Sequence, residues 1–164
     1  MTDLTLTDPR VLRAIELIWK EAEALDDKDY KSWEQMYSDD AHYVVPIDPD
    51  TDDFGSSLNL VYDDKRMRRL RVERMLQGYS PSAVAAARTV RVISRFTVRE
   101  LTDTSVTIRS AQILNAFKRN EFLTLGANLT HTVVFGDEGD DTISLQVIRL
   151  VDSEDAVSAS GYLL

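Results

Sequence analysis

The sequence predicts a domain of the α+β class, in which helices come first and a run of antiparallel strands follows. Near the N-terminus apolar residues recur every three or four positions, which is the period of an amphipathic helix. In the second half apolar and polar residues alternate, which is the period of a strand with one buried face. Helices gathered on one face of a curved antiparallel sheet satisfy both patterns. The chain has 164 residues, so we predict a single domain over residues 1–164.

The first predicted helix begins at Asp8 and Pro9. An aspartate can accept hydrogen bonds from the free N–H groups of a first helical turn, and proline suits the first helical position. The apolar residues that follow share one helix face: Val11, Ile15, Ile18, Ala22 and Leu25. A short second helix is predicted from about residue 28 to residue 37, with Tyr30, Trp33 and Tyr37 on one side.

A strand and an acidic loop come next. Residues 41–46 (AHYVVP) are predicted to form a strand that ends at Pro46, because proline cannot donate to a sheet ladder. Residues 47–59 are rich in aspartate and turn residues, which predicts a loop. Since this segment lacks the sixth-position glycine and the final glutamate of a calcium-binding loop, we interpret it as solvated.

A third predicted helix carries an unusual charge pattern. It follows Asp63 and Asp64, whose negative charge is favourable at a helix N-terminus. Six of the nineteen basic residues of the chain lie within ten positions of this helix: Lys65, Arg66, Arg68, Arg69, Arg71 and Arg74. Because the formal net charge is −9, so much positive charge in one helix requires acidic partners.

The partners of these arginines could lie inside or outside the chain. Arg71 and Arg74 can each form a bidentate pair with a carboxylate. The sequence leaves two sources open: internal pairing with Asp63, Asp64 or the 48–53 loop, and contact with another subunit.

The second half predicts four long strands, at residues 88–101, 105–117, 121–135 and 142–151. A turn with the sequence GDEGDD joins the last two. In the first of these strands, the alternation predicts one buried apolar face formed by Val90, Val92, Phe96 and Val98. The same alternation predicts that the arginines of the strand are exposed: Arg91, Arg95 and Arg99.

Composition excludes several classes of function. The chain has no cysteine, so it cannot form a disulfide, a thiolate zinc site, an iron–sulfur cluster or a cysteine nucleophile. The negative net charge argues against nucleic-acid binding, which needs a basic surface. No apolar run approaches the roughly eighteen residues of a membrane span, and the N-terminus lacks the signal-peptide pattern. We therefore expect a cytoplasmic protein that does not contact a membrane.

His42 and His131, the two histidines of the chain, are the candidates for catalysis. Both lie on predicted strands, and a curved sheet could bring them to one pocket with an aspartate. Such a pocket would permit acid–base chemistry or a two-histidine, one-carboxylate iron site. The simpler interpretation, which we favour, is that each is a hydrogen-bonded histidine in or near the core. No serine lies in a GxSxG motif, and there is no glycine-rich phosphate loop.

Several motifs, taken together, resemble one family. The residues that match its pattern in the first half are Trp33, Asp39, Asp40, Tyr43 and Pro46. Further along they are Tyr62-Asp63-Asp64, Arg71-Val72, Arg74, Gly78, Arg88, Thr89 and Arg91. By the order and spacing of these residues, the chain resembles the small (β) subunits of aromatic-ring-hydroxylating dioxygenases over nearly its whole length. It departs from the family pattern at Ala85-Ala86-Ala87, where two prolines and a serine are usual, and at Arg95, where an asparagine is usual.

The resemblance implies a cone-shaped α+β roll like that of nuclear transport factor two, ketosteroid isomerase and scytalone dehydratase. It also implies a large (α) subunit that carries a Rieske iron–sulfur cluster and a mononuclear iron, commonly as three large and three small chains. That enzyme would use NAD(P)H-derived electrons to add O2 to aromatic rings during aromatic hydrocarbon catabolism. The small subunit would bind no cofactor or metal and would make no catalytic contact.

We expect two groups of residues to support that role. We hypothesise that one group faces the large subunit or a neighbouring small subunit of a trimer: Arg71, Arg74, Arg88, Arg91 and Arg95. The other group is expected to be structural: Tyr43, Pro46, Asp63 and Asp64.

Two rival functions remain open at this point. One is a stand-alone dehydratase or isomerase on the same roll that uses His42, His131 and an aspartate. The other is a ligand-binding or scaffolding homo-oligomer. A deep cavity lined by both histidines would favour the enzyme, and a cone filled by side chains would favour the subunit.

Overall fold

The structure, a computed structural model, describes residues 6–77, 88–118 and 120–153. Within these ranges the helices are α1 (Pro9–Asp26), α2 (Tyr30–Gln35) and α3 (Lys65–Gln77). The strands are β1 (Tyr37–Pro46), β2 (Asn59–Asp63), β3 (Arg88–Leu101), β4 (Ser105–Lys118), β5 (Glu121–Val134) and β6 (Thr142–Leu150). Short 3-10 turns lie at Phe54–Ser56 and Asp137–Gly139.

The strands form one six-stranded sheet in the order β2-β1-β6-β5-β4-β3. Helices that pack on one face of this sheet confirm the predicted α+β class. Pairing is antiparallel except between β1 and β6, which are parallel, so the sheet is mixed rather than wholly antiparallel. The parallel pair is possible because α3 and four strands lie between β1 and β6 in the chain, and parallel neighbours need a long connection.

Helix α1 forms as its sequence predicts. The Asp8 side chain accepts a hydrogen bond from the Arg10 N–H (2.9 Å), and Pro9 occupies the first turn. The buried side includes all five predicted apolar residues and also Glu21. Burial of one aliphatic side chain such as Ile18 contributes on the order of 1.5–3 kcal/mol to stability, so this face anchors α1 to the sheet.

The boundaries of β1 and β2 differ from the prediction. Strand β1 begins at Tyr37, four residues before the expected start at Ala41. The predicted second helix ends correspondingly earlier, at Gln35. Strand β2 was not predicted, because its five residues lie partly in the expected loop and its register depends on pairing with β1.

The predicted faces of β3 are wrong in its first half. Val90 and Val92 are 62% and 59% exposed, while Arg91 is only 9% exposed. The cause is a register shift between Ser94 and Thr97, where Arg95 has a positive φ of 58°. One extra residue in a strand reverses which side chains are buried. The predicted burial of Phe96 and Val98, beyond the shift, agrees with the partial burial of both residues.

We call the helix-covered face of the sheet the inner face and the opposite one the outer face. The inner face packs against helices through a cluster of buried side chains that includes Ile18, Trp33, Tyr43, Ile108 and Leu129. Trp33 and Tyr43 meet edge to face, with ring centroids 5.7 Å apart. In the parts of the chain described, no helix has both the length and the apolar character needed to cross a bilayer.

Candidate functional site

Arg71 lies on α3 beside the end of β2 and forms an internal ion pair. Its Nε donates to Asp63 Oδ2 (2.7 Å), and its Nη2 donates to Asp63 Oδ1 (3.2 Å). The Asp63 side chain is almost fully buried, and that of Arg71 is about one-third exposed. Burial acts to lower the pKa of Arg71, but the hydrogen bonds and charge of Asp63 outweigh burial and raise it. This bidentate pair joins α3 to the sheet.

Arg91 forms a second internal ion pair, with Asp26 at the end of α1. Arg91 Nη1 lies 2.5 Å from Asp26 Oδ1, and the Arg91 backbone N–H donates to Asp26 Oδ2 (2.9 Å). The Thr89 hydroxyl donates to the same carboxylate (2.9 Å). Asp26 therefore holds the start of strand β3 against the end of α1. Its carboxylate neutralises Arg91, which explains how this arginine can lie on the inner face.

The other three arginines of the hypothesised interface are exposed. Arg74 lies in the last turn of α3, and Arg88 lies at the start of β3. Arg95 lies at the register shift of β3, where its Nη2 donates to Asn128 Oδ1 (2.6 Å). Arg74, Arg88 and Arg95 thus present charge at the surface, whereas Arg71 and Arg91 are neutralised within the chain.

The four residues expected to be structural lie at junctions of the fold. Tyr43 is buried in the inner face, and Pro46 ends β1 opposite Asn59. Asp63 holds Arg71 as described, while Asp64 Oδ1 accepts a hydrogen bond from the Met67 N–H (2.9 Å) at the start of α3. Asp64 therefore caps this helix.

The two histidines do not share a pocket, so that part of the alternative hypothesis is wrong. Tyr43 pairs with Gln146, and Gln146 pairs with His131, which places these three side chains on the inner face. His42 precedes Tyr43 in the strand and therefore projects to the outer face. There its ring stacks on Tyr62 with centroids 5.3 Å apart. The sheet separates the two imidazoles.

His131 belongs to a buried polar cluster that sequence reasoning missed. Glu21 Oε1 accepts hydrogen bonds from Trp33 Nε1 (3.0 Å) and the Tyr37 hydroxyl (3.3 Å). His131 Nε2 lies 3.6 Å from Glu21 Oε2, and the single hydroxyl proton of Tyr37 is shared between Glu21 Oε1 and Gln146 Oε1. Burial and the charge of Glu21 raise the pKa of Tyr37 well above its usual value. The spacing of Glu21 from Ile18 and Leu25 placed it on the apolar face of α1, and that signal could have revealed the cluster.

An arginine clamp lies on the outer face and holds the acidic loop that follows β1. Arg149 Nη1 donates to the carbonyl oxygens of Pro49 (2.9 Å) and Thr51 (2.7 Å), and Nη2 donates to Asp52 Oδ1 (3.0 Å). The guanidinium also lies over the Phe54 ring, 5.5 Å from its centroid. Asp52 of this loop therefore faces a protein cation. In residues 6–77, 88–118 and 120–153 no group of three or more histidine, aspartate or glutamate side chains is arranged to hold a metal ion.

Comparison with solved structures identifies the fold. The chain matches the β subunit of benzoate 1,2-dioxygenase from Burkholderia mallei with a TM-score of 0.74 and 20% identity, over 98% of this chain and 100% of that one. It matches a chain of naphthalene 1,2-dioxygenase, solved with indole in the active site, with a TM-score of 0.79 and 17% identity, over 93% and 84% of the two chains. ActVI-ORFA from Streptomyces coelicolor matches with a TM-score of 0.61 and 11% identity, over 85% and 96%.

Comparison of the sequence with protein families gives a direct assignment. No curated protein sequence matches the chain. The model of the family described as "Ring hydroxylating beta subunit" matches residues 20–154, which is most of the chain and includes α2, α3 and all six strands. The chain therefore belongs to the ring-hydroxylating β subunits, the small subunits of aromatic-ring-hydroxylating dioxygenases.

Proposed function

We propose that this chain is a non-catalytic subunit that supports the assembly of a large (α) subunit, which carries out ring hydroxylation. The large subunit would hold a Rieske iron–sulfur cluster and a mononuclear iron, and it would add O2 to an aromatic ring. Electrons would come from NAD(P)H through a separate reductase. We further propose a cytoplasmic hexamer of three large and three small chains that acts in aromatic hydrocarbon catabolism, with the whole chain, residues 1–164, as one domain.

The burial of His131 is the observation that favours a non-catalytic role. His131 is 0% exposed and Glu21 is 1% exposed, so the acid–base pair on the inner face has no contact with solvent in the described structure. A general acid or base must come within hydrogen-bond reach of its substrate, directly or through one water. The other histidine, His42, is on the opposite face of the sheet. These placements disfavour a stand-alone dehydratase or isomerase that uses both histidines.

The surface arginines are the candidate contacts with the other subunits. Arg74, Arg88 and Arg95 are exposed on a chain whose net charge is −9, and cations on such a surface suit acidic groups of a partner. Arg71 and Arg91 would contribute by holding α3 and β3 in position through Asp63 and Asp26.

A pull-down from the native cell extract tests the proposal. The full chain is tagged and recovered, and the eluate is assayed for iron and for larger proteins. We expect stoichiometric recovery of a larger, iron-containing protein. Recovery of the tagged chain alone, without iron, would overturn the proposal.

Charge variants test the interface separately from folding. The triple variant Arg74→Ala, Arg88→Ala, Arg95→Ala should recover less of the large subunit while its circular dichroism spectrum and thermal midpoint stay near those of the unmodified chain. Arg66→Ala is the matched control, because Arg66 is an exposed cation of the same helix outside the proposed contact set. If the triple variant and the control recover equal amounts of the large subunit, these arginines do not contribute to the interface.

A further inference from the structure

A cavity of about 460 Å³ lies between α2, α3 and the start of β1, and Tyr37 of the buried His131 cluster forms part of its wall. Its charged lining residues are Lys31, Glu34, Asp39, Lys65, Arg68 and Arg69. Four of these are cations and two are anions, which is the reverse of the balance in the whole chain.

Arg68 is the one buried cation among the described residues that line this cavity. It is 2% exposed, and its guanidinium lies over the Tyr37 ring at 5.0 Å from the centroid. Its Nη1 donates to the carbonyl oxygen of Ala41, and its Nη2 donates to that of Ser38 (3.2 Å). Its Nε has no hydrogen-bond partner among the described residues. Arg68 therefore retains an unused donor.

Arg68 also lacks a carboxylate partner within ion-pair distance among the described residues, whereas Lys65 and Arg69 of the same cavity each have one. Lys65 Nζ lies 2.7 Å from Asp39 Oδ1, and Arg69 Nε lies 3.5 Å from Glu73 Oε1. Burying a charge without a counter-ion in direct contact is unfavourable, and burial lowers the pKa of Arg68 although the charges of Asp63, Asp64 and Glu34 act to raise it. A bound anion would supply the missing negative charge.

We propose that this cavity is an oxyanion-binding site, for a carboxylate or a phosphate, with Arg68 as its anchor. The guanidinium supplies planar, charge-assisted hydrogen bonds, and Lys65 and Arg69 supply positive charge at the cavity wall. A free small anion and a carboxylate side chain of a partner subunit share this chemistry. A free small anion would bind to the isolated chain, so this proposal does not depend on the proposed function as a subunit.

The first experiment titrates the isolated full chain with sodium phosphate and with sodium acetate at constant ionic strength. The Nε–Hε signal of Arg68 is followed by nuclear magnetic resonance, together with the thermal midpoint. We expect a saturable change in that signal. The double variant Lys65→Ala, Arg69→Ala should bind about tenfold more weakly, because two nearby cations are lost.

Two controls separate binding from folding. Arg66→Ala removes an exposed cation of the same helix that does not line the cavity, and it should bind as the unmodified chain does. Arg68→Lys keeps the charge but loses the planar fork, and it should lose binding even where the variant stays folded. Absence of a saturable change with either anion, or equal binding by the double variant, would overturn the proposal.

The second experiment distinguishes the two sources of the anion. Phosphate binding to the assembled complex is measured by calorimetry, with a complex containing the Lys65→Ala, Arg69→Ala chain as reference. Phosphate binding as strong as in the isolated chain supports a free anion, and loss of binding on assembly supports a partner carboxylate in the cavity.

Discussion

Asp63 and Arg71 form two parallel hydrogen bonds, of 2.7 Å and 3.2 Å, although they come from different elements, β2 and α3. We predict that Arg71→Ala lowers the free energy of unfolding of the isolated chain by about 3 kcal/mol, because it leaves the Asp63 carboxylate buried without a partner. Urea denaturation of the variant and the unmodified chain measures this difference in the free energy of unfolding. Arg74→Ala is the control and should change stability by less than about 0.5 kcal/mol, since Arg74 is exposed. An equally small effect of Arg71→Ala would mean that the pair adds nothing to stability.

Glu21 should matter as a hydrogen-bond acceptor rather than as a charge. Glu21→Leu leaves the Trp33 indole N–H and the Tyr37 hydroxyl without this acceptor, so we expect a loss of about 2–4 kcal/mol in the free energy of unfolding. Glu21→Gln keeps an acceptor oxygen, so its free energy of unfolding should fall clearly less than that of Glu21→Leu. Chemical denaturation of both variants provides the comparison, and equal losses would contradict the acceptor role.

Arg149 should control the exposure of the loop after β1. Arg149→Met removes the donors to the Pro49 and Thr51 carbonyl oxygens, and we expect amide hydrogen exchange in residues 47–58 to become faster. Arg109→Met is the matched control, because Arg109 lines an outer-face cavity together with Arg149 and Pro49, and no hydrogen bond among the described residues joins Arg109 to the loop. Unchanged exchange in the Arg149 variant would show that the loop is held by other contacts.

We expect the Asp141 carboxylate to stabilise the fold at neutral pH but not at strongly acidic pH. Burial acts to raise the pKa of Asp141, but hydrogen bonds from Arg13 and the Gly136 N–H, with the Arg13 charge, lower it below its usual value. A carboxylate with a lowered pKa stabilises the fold above its unfolded pKa of about 3.9, and this stabilisation is lost as the pH falls through the folded pKa. Asp141→Asn should therefore be less stable than the unmodified chain at pH 7, with the difference shrinking below about pH 4.

Thermal unfolding of the two proteins from pH 7 to pH 2 measures that difference. A constant gap between their midpoints over this range would exclude a contribution from ionisation of Asp141. Asp137→Asn serves as the control, since Asp137 is an exposed carboxylate of the same turn.

Local sequence patterns predicted the helices and the long strands well because their signals come from neighbouring residues. The N-terminal cap of α1 and the alternation of β5 need no information from elsewhere in the chain. The pairing of Arg91 with Asp26 was not predictable in this way, since the two residues are 65 positions apart and meet only after β3 packs on α1. The bulge near Arg95 also has no strong local signal, and it reversed the predicted faces of half a strand.

The candidate site was predicted less completely than the fold. The arginine segment was recognised, but the sequence could not divide its members into paired and exposed residues. The charge of Arg68 predicts exposure, although its spacing from Val72 and Met75 places it on the buried face of α3. Charge alone favours exposure, and only the tertiary structure supplies the carbonyl oxygens that make burial possible.

The parallel pairing of β1 with β6 has a consequence for the order of folding. Tyr43 and its neighbour Gln146 are separated by about a hundred residues, and a contact at such a distance along the chain is slow to form. During synthesis the N-terminal helices and β1 leave the ribosome long before β6 does, whereas β3, β4 and β5 can pair with their sequence neighbours as they emerge. Strand β6 therefore completes the centre of the sheet, and any partner that recognises the complete sheet can bind only after β6 has been synthesised.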